Sequence, residues 1–120
     1  MNESPALVKT YDFLKWLLPV TEKFPKSQRF VLAQRLQQAA FQFYEYLIEA
    51  RRVRPNASVL KRADAELDKV RLYLRLSHEL GHLGEGQYRH ASQRAAELGR
   101  LLGGWMKKGP ENASQSKAAR

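Results

Sequence analysis

Large apolar residues recur at intervals of three and four in four segments of this 120-residue chain, and this spacing constrains the fold most. Residues at i, i+3, i+4 and i+7 lie on one face of an α-helix, so each segment predicts a helix with a buried face. No segment shows the alternation typical of a half-buried strand. The sequence therefore predicts an all-α protein, an up-down-up-down four-helix bundle.

Helix-starting and helix-breaking residues separate the four segments. Ser4-Pro5 favours a helix start, and Pro19 predicts a kink or an early end of that helix. A second helix is predicted from Ser27 to about Val53, and Ser58 is the predicted N-cap of the third. The predicted core residues are Leu7, Tyr11, Leu14 and Leu18, then Leu32, Leu36, Ala40, Phe43, Leu47 and Ala50, then Leu60, Ala63, Leu67, Val70 and Leu74, and finally Tyr88, Ala91, Ala95, Leu98, Leu102 and Trp105.

Length and composition predict one domain in the cytoplasm. Residues 1–108 form the predicted bundle, and residues 109–120 form a polar tail without large apolar side chains, which is expected to be disordered. There is no cysteine, so neither a disulfide framework nor a thiolate metal site is expected. The first residues do not resemble a signal peptide, and no apolar run approaches the roughly 20 residues of a membrane span.

A second apolar stripe on the second and third helices predicts self-association. At 100° per residue, these side chains lie well away from the core stripes. A soluble monomer rarely exposes such patches, so we expect a closed homo-oligomer, although a helix buried on several sides of one bundle would show the same pattern. The stripe comprises Phe30, Phe41, Tyr44 and Ile48, then Leu72, Tyr73, Leu76, Leu80 and Leu83, of which Phe41, Tyr44, Ile48, Leu72, Tyr73, Leu76 and Leu80 are the predicted interface.

The chain is strongly basic, with 21 Lys and Arg against 12 Asp and Glu and a formal net charge of +9. The first 25 residues are neutral, so the whole excess lies in residues 26–120. Such a surplus favours binding to nucleic acid or to an acidic protein surface. A solvated basic surface would have the same composition.

The segment HELGH, His78 to His82, has the H-E-x-x-H pattern of zinc proteases. The extended form of that motif requires Gly and His where Glu85 and Tyr88 stand, and only His90 or Glu97 offers a loosely placed third ligand. Gly81 and Gly84 also indicate that the helix ends there. We therefore expect no metal site, no cofactor and no enzymatic activity.

Arg71, Arg75, His78 and His82 follow one another at intervals of four, three and four, which predicts a basic stripe on one helix face. Arginine binds phosphate through two parallel hydrogen bonds, so such a row suits a nucleic-acid backbone or an acidic partner. Asp68 is positioned to pair with Arg71. The predicted binding residues are Arg71, Arg75, His78, Arg89, Arg100 and Lys107.

Two further patterns leave alternatives open. Arg71-x6-His78 fits the R-x4-6-H pattern of small helical ribonucleases of the HEPN type, although Leu72 stands where those proteins usually have a polar residue. Gly99-x3-Gly103 predicts a close approach of a neighbouring helix.

Four segments resemble a known family: LLPVTEKFPKSQRFVLAQRL, LIEAR, VRLYLRLSHEL and ELGRLLGGW. They are similar to the accessory variability determinant (Avd) proteins of diversity-generating retroelements. They also resemble the wider four-helix-bundle family that includes proteins encoded in 23S rRNA intervening sequences. The likeness covers about residues 5–108, and HELGH is not part of the family pattern.

The resemblance implies a barrel-shaped homopentamer of four-helix bundles. Such proteins bind nucleic acid, both RNA and DNA, and the retroelement's reverse transcriptase, and they support error-prone synthesis of cDNA without being the polymerase. The partner-binding arginines of the family fall on Arg71 and Arg75. Membership in the intervening-sequence branch, whose role is not settled, is the alternative.

Overall fold

A computed structural model describes the backbone of residues 4–118 and the side chains of residues 4–108. Its four main helices are α1 (Pro5–Glu22), α2 (Gln34–Arg52), α3 (Ala57–Glu79) and α4 (Glu85–Ala118). A short helical turn, Lys26–Gln28, and a π-helical segment, Arg29–Ala33, lead into α2. The described residues contain no strand, and successive helices run in opposite directions around one core, which confirms the predicted all-α bundle. None of the helices in this part of the chain is both long enough and apolar enough to cross a membrane.

The predicted core stripes of α2 and α3 are fully confirmed, because all of their residues are buried. On α1 the prediction for Tyr11 is wrong: its side chain is 54% exposed, and its ring lies 6.5 Å from that of Tyr44. The buried face of α1 instead includes Phe13 and Leu17, which turns Tyr11 to the edge of the helix. The backbone of residues 109–118 continues α4, whereas the side chains of the predicted tail, residues 109–120, lie outside the described residues, so its disorder stays a prediction.

The ends of α1 confirm the predicted helix start and exclude an early helix end at Pro19. Ser4 is the N-cap, and its hydroxyl accepts a hydrogen bond from the Ala6 amide at 3.2 Å. Pro19 does not end the helix early, because α1 continues through it to Glu22. Pro19 lies in the last turn, so only one hydrogen bond of the ladder is lost there.

The connection between α1 and α2 contributes to the core. Phe24 is only 1% exposed, and its carbonyl oxygen accepts a hydrogen bond from Nε of Arg29 at 3.3 Å. The predicted second helix is interrupted by the π-helical segment, whose wider turn leaves Phe30 84% exposed while burying Leu32. The apolar spacing of the sequence did not indicate the burial of Phe24.

The turn between α2 and α3 is held by side chains that bind the last carbonyls of α2. Nη1 of Arg54 and Nδ2 of Asn56 donate to the Ala50 carbonyl at 3.0 and 3.1 Å, respectively. The N-cap of α3 is Asn56 rather than the predicted Ser58, and Asn56 is buried because its side chain turns back to α2. This arrangement fixes the direction in which α3 leaves the end of the bundle.

Candidate nucleic-acid interface

The HELGH segment is the end of a helix and not a helical metal motif. α3 ends at Glu79, and Gly81 has a φ of +82°, the left-handed conformation that favours glycine. The amide of Gly81 donates to the His78 carbonyl at 3.0 Å, and that of His82 donates to the Ser77 carbonyl at 2.8 Å. His82 therefore lies beyond the helix. The prediction that it shares a helix face with Arg71, Arg75 and His78 is wrong.

The two histidines pack against neighbouring side chains. The His78 ring stacks on that of Tyr88, with centroids 4.3 Å apart and planes 5° apart. Its Nδ1 lies within hydrogen-bond distance, 3.2 Å, of the Leu83 carbonyl oxygen. The His82 ring lies 5.6 Å from that of Phe24. Both rings thus help to join the end of α3 to the rest of the bundle.

His90 and Glu97, the candidates for a third metal ligand, contact other side chains instead. The His90 ring is 4.6 Å from that of Trp16, and Glu97 binds Arg94 at 3.1 Å and Lys9 at 3.9 Å. Among the side chains that the structure describes, no three His, Asp or Glu residues are grouped so that they would hold a metal ion.

The predicted basic stripe is largely neutralised by its own neighbours. Nη1 of Arg71 lies 3.1 Å from Oδ1 of Asp68, and Nε of Arg75 lies 3.0 Å from Oε2 of Glu79. The hydrogen bond and the charge of Glu79 raise the pKa of Arg75 above its ordinary value. Nε2 of His78 lies 3.6 Å from Oε2 of Glu85. Residues 63–99 hold five basic and six acidic side chains, so this part of the surface has no excess of positive charge.

The Arg71 and His78 pair does not form a common pocket. A groove of about 290 Å³ between α3 and α4 is lined by Arg71, Arg75 and Tyr88 together with small residues of α4. His78 instead points to the Leu83 carbonyl and the Tyr88 ring. Arg71 therefore lines the groove, whereas the His78 imidazole packs in the connection between α3 and α4.

The largest group of exposed basic side chains without a described carboxylate partner lies at one end of the bundle, which we call the basic end; a smaller group, Lys23, Lys26, Arg29 and Arg89, lies at the other end. Residues 48–62 hold five basic side chains and one acidic side chain, and residues 100–108 hold three basic and none acidic. All eight basic side chains are exposed, and none forms an ion pair with a described carboxylate. The basic end comprises Arg51, Arg52, Arg54, Lys61, Arg62, Arg100, Lys107 and Lys108.

The topology brings these two segments together. The turn between α2 and α3 lies at the end of the bundle where α1 begins, because successive helices alternate in direction. A groove lined by both Ser4–Ala6 and residues 100–108 places this part of α4 at the same end. Of the predicted binding residues, Arg100 and Lys107 belong to the basic end, whereas exposed Arg89 lies near the opposite end. One signal in the sequence was overlooked, since the basic runs RRVR and KR flank a single turn.

The predicted interface residues form two apolar strips on neighbouring helices. Phe41 and Ile48 of α2 are about 40% exposed, and Leu72, Leu76 and Leu80 at the end of α3 are 41–57% exposed. Tyr44 and Tyr73 are half-buried. A groove of about 670 Å³ separates the strips and is mostly polar, with lining residues that include Arg35, Gln42, Glu45, Glu66 and Lys69.

One residue of the second stripe is buried within the chain. Leu83 is only 2% exposed, because the turn after α3 folds it back onto the core. Burial inside a single bundle therefore accounts for Leu83 but leaves both strips uncovered in one copy of the chain. Five large apolar side chains at this exposure form a surface that a partner is expected to cover.

Comparison with known proteins gives the family. A family model described as bAvd-like matches residues 6–109, which covers α2 and α3 completely, α1 from its second residue and α4 as far as residue 109. No curated protein matches the chain significantly. The match covers both the basic end and the two apolar strips. Because it spans most of the 120 residues, the chain belongs to the bAvd-like family.

Proposed function

We propose that this protein is a non-catalytic accessory factor of a diversity-generating retroelement. It binds single-stranded nucleic acid, namely the template RNA and its cDNA, and presents it to the retroelement reverse transcriptase. Membership in the bAvd-like family supports the accessory role. The unpaired charge of the basic end is the observation that carries the nucleic-acid part of the proposal.

The charge distribution favours the basic end over the α3 stripe as the place where phosphates bind. A protein that neutralises phosphates gains free energy from released counterions, and a cation already paired with a carboxylate offers less attraction. Arg71 and Arg75 have such partners, whereas none of the basic-end side chains has one among the described residues. The α3 arginines, together with Arg89, remain available for weaker contacts or for an acidic surface of the polymerase.

The two apolar strips support a closed oligomer in this proposal. A ring requires two different patches on each copy, since each copy contacts one neighbour on either side. The α2 strip and the α3 strip are separated by a mostly polar groove, and each is therefore able to meet a different neighbour. We propose a pentamer, the number that the family likeness implies. A ring would also repeat the basic end around its axis and increase avidity for a long nucleic acid.

Two measurements test this function. Fluorescence anisotropy with an unstructured single-stranded RNA should show binding that weakens steeply as the salt concentration rises. Co-expression with the reverse transcriptase of the same retroelement should yield a complex that survives size-exclusion chromatography. Absence of RNA binding at low salt, or of a complex with the polymerase, would contradict the corresponding half of the proposal.

A further inference from the structure

The start of α1 and the last described turns of α4 enclose a groove of about 440 Å³ at the basic end. Its walls are Ser4, Pro5 and Ala6 on one side and Arg100, Leu101, Gly104, Trp105 and Lys108 on the other. The volume is within the range of small-molecule sites, roughly 300–1,000 Å³. Its described lining residues include one aromatic ring and two cationic side chains, and none of them is a carboxylate.

Trp105 is placed to offer a ring to a ligand. It is half-buried, packing partly against the core, and it lines the groove. The opposite wall consists of the small residues Ser4, Pro5 and Ala6 at the start of α1. Arg100 lies five residues before Trp105 and Lys108 three residues after it on the same helix, and both are exposed.

Gly104 keeps the groove open. A Cβ added to Gly104 would have no described atom within 4 Å, apart from its chain neighbours and the backbone of its own helix. A larger side chain at this position would fill the groove without colliding with the described part of the bundle. Gly103, its neighbour, has equally open surroundings but does not line the groove.

We propose that this groove binds one base of a single-stranded nucleic acid, which stacks on Trp105 while Arg100 and Lys108 contact the flanking phosphates. The inference rests on the proposed function and adds a site to it. Proteins that bind single strands combine a basic surface with aromatic rings on which bases stack. A base within a duplex is covered on both faces, so this site selects unpaired nucleic acid.

Tryptophan fluorescence tests the stacking directly. The chain has two tryptophans, so Trp16→Phe leaves Trp105 as the only one. Titration of that variant with an eight-residue oligo(dT) should quench its fluorescence, and a duplex of the same length should quench it far less. Equal quenching by the duplex, or none by the single strand, would overturn the stacking site.

A pair of glycine variants tests the groove itself. Gly104→Leu should weaken binding of the oligo(dT) about tenfold, the size expected for loss of one stacked base. Gly103→Leu should leave the affinity unchanged, and both variants should melt at or above the wild-type temperature because leucine favours helix more than glycine does. Equal affinity of the two variants would overturn the groove as the binding site.

The outcomes separate this inference from the proposed function. If the wild-type protein binds single-stranded RNA but Trp105 fluorescence and the Gly104→Leu affinity do not change, the groove is wrong and the proposed function stands. If the wild-type protein binds no single-stranded RNA or DNA at low salt, both the groove and the nucleic-acid half of the proposed function are wrong.

Discussion

The guanidinium of Arg71 lies directly against the backbone of Gly99, so that a Cβ on Gly99 would collide with Nη2 of Arg71. Glycine at this position lets an α3 arginine lie across α4, while Leu67 lies 3.7 Å from the same point. The prediction that Gly99-x3-Gly103 lets a neighbouring helix approach closely is not confirmed at Gly99, where the Arg71 side chain rather than a helix backbone occupies the space. It is wrong at Gly103, which has no contact there among the described atoms.

Alanine at the two glycines should stabilise the protein unequally. An alanine in a helix interior is favoured over glycine by about 1 kcal/mol, and Gly103→Ala should gain most of this. Gly99→Ala should gain less, because Arg71 must swing outward and lose its pair with Asp68. Urea unfolding at one fixed protein concentration measures both. Destabilisation of Gly99→Ala by more than about 1 kcal/mol would mean that Arg71 cannot move.

Phe24 should matter for stability despite its place in a connection. Phe24→Ala should lower the free energy of unfolding by about 3–5 kcal/mol, because it removes a fully buried ring. Phe30→Ala, six residues later on the exposed side of the π-helical segment, should change it by less than about 0.5 kcal/mol. Comparable losses in the two variants would contradict the described burial.

The sequence predicted the helices well because their apolar spacing is regular and long. Every predicted core residue of α2 and α3 is buried, and the helix end at Gly81 follows from glycine chemistry. The burial of Phe24 was missed, because a single apolar residue before a proline belongs to no repeating pattern. The π-helical segment was missed, because its wider turn changes the spacing of apolar residues too little to be recognised in the sequence.

The candidate site was predicted less well, because the net charge of a surface depends on which acidic side chains lie beside the basic ones. On a helix wheel Arg71 and Arg75 form a basic stripe, yet Asp68 and Glu79, three and four residues away on the same helix, neutralise them. The basic end depends on two segments about 40 residues apart meeting at one end of the bundle. The proximity of these two segments follows from the topology of the bundle, and it cannot be predicted from the residue spacing within one helix.

The histidines of HELGH should affect stability more than binding. His78→Ala should cost about 1–2 kcal/mol, because it removes the ring stacked on Tyr88 and the hydrogen bond to the Leu83 carbonyl. The affinity of the folded His78→Ala, His82→Ala double variant for RNA should stay within about twofold of wild type, since both rings pack against aromatic side chains of the bundle. Loss of RNA binding without loss of stability would give these histidines a direct role.

Leu76→Lys should dissociate the oligomer. Leu76 lies in the middle of the α3 strip and is 41% exposed in the single chain, so a lysine there would place a charge in the interface. Light scattering should give about five times the 13.8 kDa chain mass for the wild type and a mass near one chain for the variant. Gln93→Lys, at an exposed position of α4 outside both strips, is the matched control. A wild-type protein of one chain at micromolar concentration would contradict the assembly.

The affinity for single-stranded RNA, measured at several salt concentrations for two charge-reversal variants, tests the central claim most directly. Arg51→Glu with Arg52→Glu should weaken binding at least about tenfold at low salt and make the salt dependence shallower, by roughly 0.7 in log–log slope for each phosphate that the variant no longer neutralises. Arg71→Glu with Arg75→Glu makes the same change of charge where carboxylates already pair with the arginines, so it should weaken binding less. Full binding by the Arg51 and Arg52 variant, together with abolished binding by the Arg71 and Arg75 variant, would contradict the basic end as the nucleic-acid interface.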